Sequence, residues 1–127
     1  MKEKAYSIVI IDDDDDFVAL LKKGLQDIGH QVRGYTDIDE FFRGIRSDPP
    51  EVVLVDLVMP DMPGWKVIEK LKKSEIPNLK IVAMSAILEP DDTERMKIKA
   101  DAFVPKPLQY GEMDKLVWLF DSLFDNE

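Results

Sequence analysis

The chain has 127 residues, enough for one domain with a single core, and its 45% apolar and 9% aromatic content is that of a folded protein, not a disordered one. A net charge of −9 repels nucleic-acid phosphates and anionic lipid surfaces, so neither is expected as a direct partner. The lack of cysteine excludes disulfides, thiolate metal sites and thiol nucleophiles, and no apolar run approaches the roughly 20 residues that span a bilayer. Met1-Lys2-Glu3-Lys4 leads into a strand-like run without a small-residue cleavage site, so no signal peptide is visible and a cytoplasmic protein is expected.

Tyr6-Ser7-Ile8-Val9-Ile10-Ile11 reads as a first strand, apolar nearly throughout and suited to a sheet interior. Five aspartates, Asp12 to Asp16, follow without a break. Asp14, Asp15 and Asp16 fall at the cap and first turn of a helix, where carboxylates meet the positive end of its dipole. That helix repeats Phe17, Leu20, Leu21, Gly24, Leu25 and Ile28 at three-and-four spacing, the signature of a buried stripe. Gly29 suits a left-handed cap, and His30 is expected to be a solvent-exposed helix-end residue. Gln31-Val32-Arg33-Gly34-Tyr35 is a short polar strand near an edge. Thr36 is expected to cap a second helix, with Asp39 three residues on, and Ile38, Phe41, Phe42 and Ile45 form its inward face.

Val52-Val53-Leu54-Val55 then runs straight into Asp56, and Pro60 stops the run. A third helix after Gly64 buries Val67, Ile68 and Leu71; Asp61 is turn surface. Leu79 to Met84 form a fourth strand ending on Ser85. A fourth helix over about 91–99, with Asp91 and Asp92 at its start, offers little beyond Met96 and Ile98 for burial and is expected to be loosely held. Ala102-Phe103-Val104 is the last strand, closed by Pro105-Lys106-Pro107. The final helix, over about 110–124, turns Met113, Leu116, Val117, Phe120, Leu123 and Phe124 inward. Trp118 lies nearly opposite that stripe, where it favours a partner contact. Strand and helix alternate five times with short connections, which implies an α/β fold: a five-stranded parallel sheet, doubly wound, in one domain over 1–127 with its core over about 6–124.

In such sheets, ligands and chemistry gather at the carboxyl ends of the strands. Asp12 and Asp13 follow the first strand, Asp56 the third, Ser85 the fourth and Lys106 the fifth. Three carboxylates on one rim repel one another, and a hard divalent cation is the usual remedy; Mg²⁺ prefers one or two carboxylates plus waters and phosphate oxygens. With no cysteine and a single histidine, zinc does not suit the site.

Val9-Ile10-Ile11-Asp12-Asp13, Val53-Leu54-Val55-Asp56-Leu57-Val58-Met59-Pro60, Met84-Ser85-Ala86 and Phe103-Val104-Pro105-Lys106-Pro107 together resemble the response-regulator receiver domain of bacterial two-component signalling. Each motif alone is weak; four in the right order, each at a strand end, are specific. The resemblance implies a flavodoxin-like strand order, 2-1-3-4-5. It implies that Asp56 is the phosphoacceptor, taking the phosphoryl group from a sensor histidine kinase or a histidine phosphotransfer protein. Asp13 would bind Mg²⁺ directly and Asp12 mostly through water, with Asp56 and the backbone carbonyl of Val58 completing the protein ligands. Lys106 would pair with Asp56 and then with the phosphoryl group, and Ser85 would donate to a phosphoryl oxygen. Phe103 matches the switch aromatic that swings inward as Ser85 moves, and Lys106-Pro107 matches a cis peptide. The fourth helix, fifth strand and final helix would then form the face that signals to a downstream protein target, an output domain or a second copy in a homodimer.

Three departures carry consequences. Lys99 stands where the family usually has glycine, which points to a reshaped end of the fourth helix. Phe103 replaces the more usual tyrosine and lacks its hydroxyl. Val58 and Ile87, two residues beyond Asp56 and Ser85, are apolar where related domains can carry polar side chains that position water; slow loss of the phosphoryl group is therefore expected. Two other classes fit part of the pattern. Asp12-Asp13-Asp14 also matches haloacid-dehalogenase-like phosphatases, with Asp12 as nucleophile, although the chain is short for that fold and shows no substrate-enclosing cap. A receiver-like interaction module that is never phosphorylated is the other, and the intact Asp13, Asp56, Ser85 and Lys106 argue against it. The sequence leaves open whether the receiver stands alone or is a piece of a longer protein.

Overall fold

A strand that is apolar at every position has two faces to bury, and its odd and even side chains go to different layers. The computed structural model describes residues 4–86, 99–106 and 108–125. Within them, β1 (Ser7–Ile11), β2 (Gln31–Tyr35), β3 (Val52–Asp56), β4 (Lys80–Ser85) and β5 (Ala102–Pro105) make one parallel sheet. The strand order is β2-β1-β3-β4-β5, the flavodoxin-like order expected. Ile8, Ile10, Val52, Leu54, Val82 and Met84 point to one face, and Val9, Ile11, Val53, Val55, Ile81 and Ala83 to the other. Helix α1 (Asp15–Asp27) and the C-terminal helix (Met113–Asp125) cover the first face. Helices α2 (Ile38–Ser47) and α3 (Gly64–Lys73) cover the second through Phe41, Ile45, Val67, Ile68 and Leu71. Burying each such side chain contributes about 1.5–3 kcal/mol.

The two edge strands are β2 and β5, as read from the sequence. Pro105, which has no N–H for a ladder, is tolerated on the β5 edge opposite Ser85. Gly29 has φ +103°, the left-handed conformation that ends α1 without a Cβ penalty. Asp14 caps α1 by accepting from the backbone N–H of Asp16 and Phe17. The C-terminal helix opens with a 3₁₀ turn, Tyr110–Glu112, and turns Met113, Leu116 and Phe120 into the core, while Trp118 is 70% exposed on its outer side.

Three local expectations need correction. In α1, Val18 joins the buried stripe, whereas Ile28 is 46% exposed because it is the C-cap, beyond the last turn that packs on the sheet. The cap of α2 is Asp37, not Thr36: its carboxylate accepts from the Glu40 N–H, a stronger answer to the positive helix end than a hydroxyl. His30 is buried, with 8% of its surface exposed. Its Nδ1 accepts from the Tyr6 N–H at 3.0 Å and its ring stacks on Tyr6 at 5.6 Å. The backbone just before β1 has no ladder partner for that donor, and the histidine supplies one. The expected fourth helix over 91–99, Ile87 and the Lys106-Pro107 peptide fall wholly or partly outside the described residues.

Candidate functional site

Register brings the site together. Ile11 pairs with Val55 across adjacent strands, so Asp12 and Asp56 leave the sheet at the same level. Asp56 is level with Met84, and Ser85 with Pro105, so Ser85 and Lys106 continue the same rim. Leu57 donates its N–H to the Met84 carbonyl at 3.0 Å and Lys106 to the Ser85 carbonyl at 2.7 Å, which prolongs the ladder past the strand ends and holds both loops. No cooperation between distant side chains is needed to aim these groups. The parallel ladder aims them.

Asp12 is fully buried and Asp56 is 3% exposed, while Asp13 is exposed at the rim. One carboxylate oxygen from each of the three lies within 4.8 Å of the others. Asp12 Oδ1 accepts from the Asp14 N–H at 3.0 Å, and its Oδ2 takes the Lys106 ammonium at 2.9 Å. Asp56 Oδ1 accepts from the Val58 N–H at 3.2 Å, and its Oδ2 is 3.7 Å from Lys106 Nζ. Burial and the neighbouring Asp12 charge push the Asp56 carboxyl up to about 6, against the pull of the Val58 N–H and Lys106. Burial opposes the Lys106 charge, but Asp12 and Asp56 outweigh it and hold the ammonium above the usual lysine range.

The resemblance places Lys106 on Asp56; the structure brings it closer to Asp12. Both carboxylates are buried and each has one oxygen taken by a backbone N–H, so the single ammonium serves the remaining oxygens of both, 2.9 Å from Asp12 and 3.7 Å from Asp56. Ser85 is buried at the end of β4. Phe103 sits on β5 opposite Ala83 and is exposed. Val58 is 61% exposed beyond Asp56. Trp118, on the C-terminal helix, is not part of the cluster.

Two further residues shape the site. Phe17, read as a core position, presents its ring 4.4 Å from Lys106 Nζ and so forms part of the lysine's cradle. Gly64 starts α3 where a methyl group would lie 2.4 Å from the Asp56 carbonyl oxygen and from Leu57 Cα. Its N–H donates to the Leu57 carbonyl at 3.0 Å, pinning the loop that carries Asp56. Glycine after proline is a turn signal in sequence; the close approach is not visible there.

The donor set among the described residues is all hard oxygen, from three carboxylates with no nitrogen or sulfur ligand in the cluster. That chemistry fits Mg²⁺.

A family model described as response regulator receiver domain matches residues 8–117. A probable transcriptional regulator ycf27 of Porphyridium aerugineum is 30% identical over 114 residues, 89% of this chain and 45% of that protein. The DNA-binding transcriptional regulator NtrC of Azospirillum brasilense is 30% identical over 118 residues, 89% of this chain and 24% of that protein. The chain thus spans less than half the length of these curated relatives. Among solved structures, a CheY-like receiver domain protein of Methanospirillum hungatei superposes with a TM-score of 0.81 at 23% identity, covering 98% of this chain and all of that one. The match to the family runs through every strand and ends within the C-terminal helix, and on that ground the chain belongs to the response-regulator receiver domains of two-component systems.

Proposed function

We propose that Asp56 accepts a phosphoryl group from a phosphohistidine on a sensor histidine kinase or histidine phosphotransfer protein. The observation that carries this reading is the state of the Asp56 carboxylate. One oxygen is fixed by the Val58 N–H, and among the described residues the other is held by nothing closer than Lys106 at 3.7 Å. That second oxygen forms the new O–P bond while the N–P bond of the donor breaks and its electron pair stays on the imidazole nitrogen. Asp12, Asp13, Asp56 and the Val58 carbonyl would hold Mg²⁺, which when bound neutralises charge on the phosphoryl oxygens. Lys106, aligned by Asp12, moves to the phosphoryl group once Asp56 is esterified, and the Ser85 hydroxyl donates to one of its oxygens. Phe103 follows Ser85 inward, and the surface around β5 and the C-terminal helix, with Trp118, presents the signal to a protein target, an output domain or a second copy.

The protein in this reading is a cytoplasmic switch that catalyses its own phosphorylation and slow dephosphorylation, not an enzyme turning over an external substrate. No helix among the described residues is long and apolar enough to cross a membrane. The exposed apolar side chain of Val58 offers no group to orient an attacking water, which supports a phosphoryl lifetime of minutes or longer. Asp12 as the nucleophile is disfavoured by the bonds on both of its oxygens. Mass spectrometry after acetyl phosphate treatment tests the assignment: one phosphoryl group on the Asp56 peptide, absent from Asp56→Asn, is expected. Modification at Asp12, or none at all with acetyl phosphate and with beryllofluoride, overturns it.

A further inference from the structure

Between α2 and α3 lies an open cavity of about 460 Å³, lined by Asp39, Phe42, Arg43, Arg46, Lys70, Lys73 and Ser74. Four of those seven residues are cations, on a chain whose net charge is −9. Arg43 and Arg46 lie one turn apart on α2, and Lys70 and Lys73 one turn apart on α3, so two pairs face each other. Among the described residues, Arg43, Arg46 and Lys70 enter no ion pair within 4.0 Å; Lys73 is 3.7 Å from Glu69. Phe42, half-buried, supplies an apolar wall with Lys70 Nζ 5.6 Å from its ring centre.

Compensation of helix dipoles accounts for only part of the cluster: Arg46 lies in the last turn of α2 and Lys70 and Lys73 in that of α3, whereas Arg43 stands a turn further in. Arg33, reaching from β2, already donates to the carbonyls of Gly44 and Asp48 at the end of α2. Neither α1 nor the C-terminal helix has a basic residue in its last turn, so the last-turn cations are confined to the two helices that border this cavity. All four cations also converge on one space, and its volume is that of a small-molecule site.

We propose that this cavity binds a phosphate-rich small molecule of the nucleotide class. The two guanidinium forks and two ammonium groups suit phosphate oxygens. Phe42 offers a flat apolar surface, and Asp39, one turn before Arg43, is an acceptor for a sugar hydroxyl or an amino group. In parallel α/β units the helices run back from the strands' carboxyl ends, so the cationic half of the groove faces away from Asp56. The site is thus independent of phosphoryl acceptance.

The test is a titration of the ¹⁵N-labelled full chain with inorganic pyrophosphate and with ATP, in EDTA so that the carboxylate cluster holds no metal. Saturable amide shifts centred on Arg43, Arg46, Lys70 and Lys73 are expected, with Arg46→Gln and Lys73→Gln each weakening binding about tenfold, the loss of one charge-assisted hydrogen bond. Lys22→Gln, on the exposed side of α1, leaves the affinity unchanged. Unsaturable shifts spread over all surface lysines overturn the proposal. So does saturable binding of a glutamate-rich peptide without binding of pyrophosphate or ATP, which would assign the groove to an acidic protein partner. Should a variant fail to fold, the shift map of the wild-type chain still decides.

Discussion

Replacing Asp56 with asparagine is expected to stabilise the metal-free protein while abolishing phosphoryl acceptance. Burial first, and then the Asp12 charge, push this carboxyl from an ordinary 3.8 up to about 6. A folded-state value above the unfolded one means that the fold prefers the protonated acid. The stabilisation from that preference is fully present below about pH 4 and is lost as pH rises through about 6. The full displacement corresponds to about 3 kcal/mol. Asparagine removes the charge, keeps an oxygen for the Val58 N–H and turns its amide N–H groups toward Asp12, so a gain of about 1–3 kcal/mol above pH 6 is expected. The assay is urea unfolding of wild type and Asp56→Asn in EDTA, repeated from pH 4 to pH 8. The two curves of stability against pH should coincide near pH 4 and diverge by pH 7, the gain being read as a higher urea midpoint at unchanged slope. Adding Mg²⁺ should then stabilise the wild type more than the variant. A pH-independent difference, or a less stable asparagine variant at pH 7, would refute the electrostatic argument.

Lys106→Ala leaves the buried Asp12 and Asp56 without their cation and should destabilise the protein by about 2–4 kcal/mol in urea unfolding, with phosphorylation by acetyl phosphate lost. Gly64→Ala drives a methyl group against the Asp56 carbonyl and Leu57 Cα; unfolding by about 1–3 kcal/mol more easily, with slower acetyl phosphate labelling, is expected. Normal labelling kinetics in Gly64→Ala would show that the loop has room to yield. His30→Leu strands the buried Tyr6 N–H and should cost about 1–3 kcal/mol of stability, read by thermal unfolding, without changing labelling at Asp56.

The site was legible to the extent that it depends on strand ends. Asp12, Asp56, Ser85 and Lys106 each follow an apolar run, and a parallel sheet carries every such end to one rim whatever the loops do. The hydrogen-bond pattern inside that rim was not legible. Lys106 sits 2.9 Å from Asp12 and 3.7 Å from Asp56, and that preference is a property of the packed structure, not of a motif. Phe17 was placed on the correct helix face, yet its approach to Lys106 spans 89 positions of chain.

The five strands, the helices among the described residues and the sheet edge at which chemistry collects can be read from the sequence alone, because periodicity and the chain's alternation of strand and helix are local signals read along one dimension. Only the tertiary structure decided that His30 is buried under Tyr6, that Asp37 caps α2, that Gly64 has no space for a side chain, and that four cations of α2 and α3 share one cavity. Each of these is a distance between segments remote in sequence or a choice between neighbouring donors and acceptors. Such outcomes follow from where the packed helices come to rest on the sheet, which burial of the whole core sets at once.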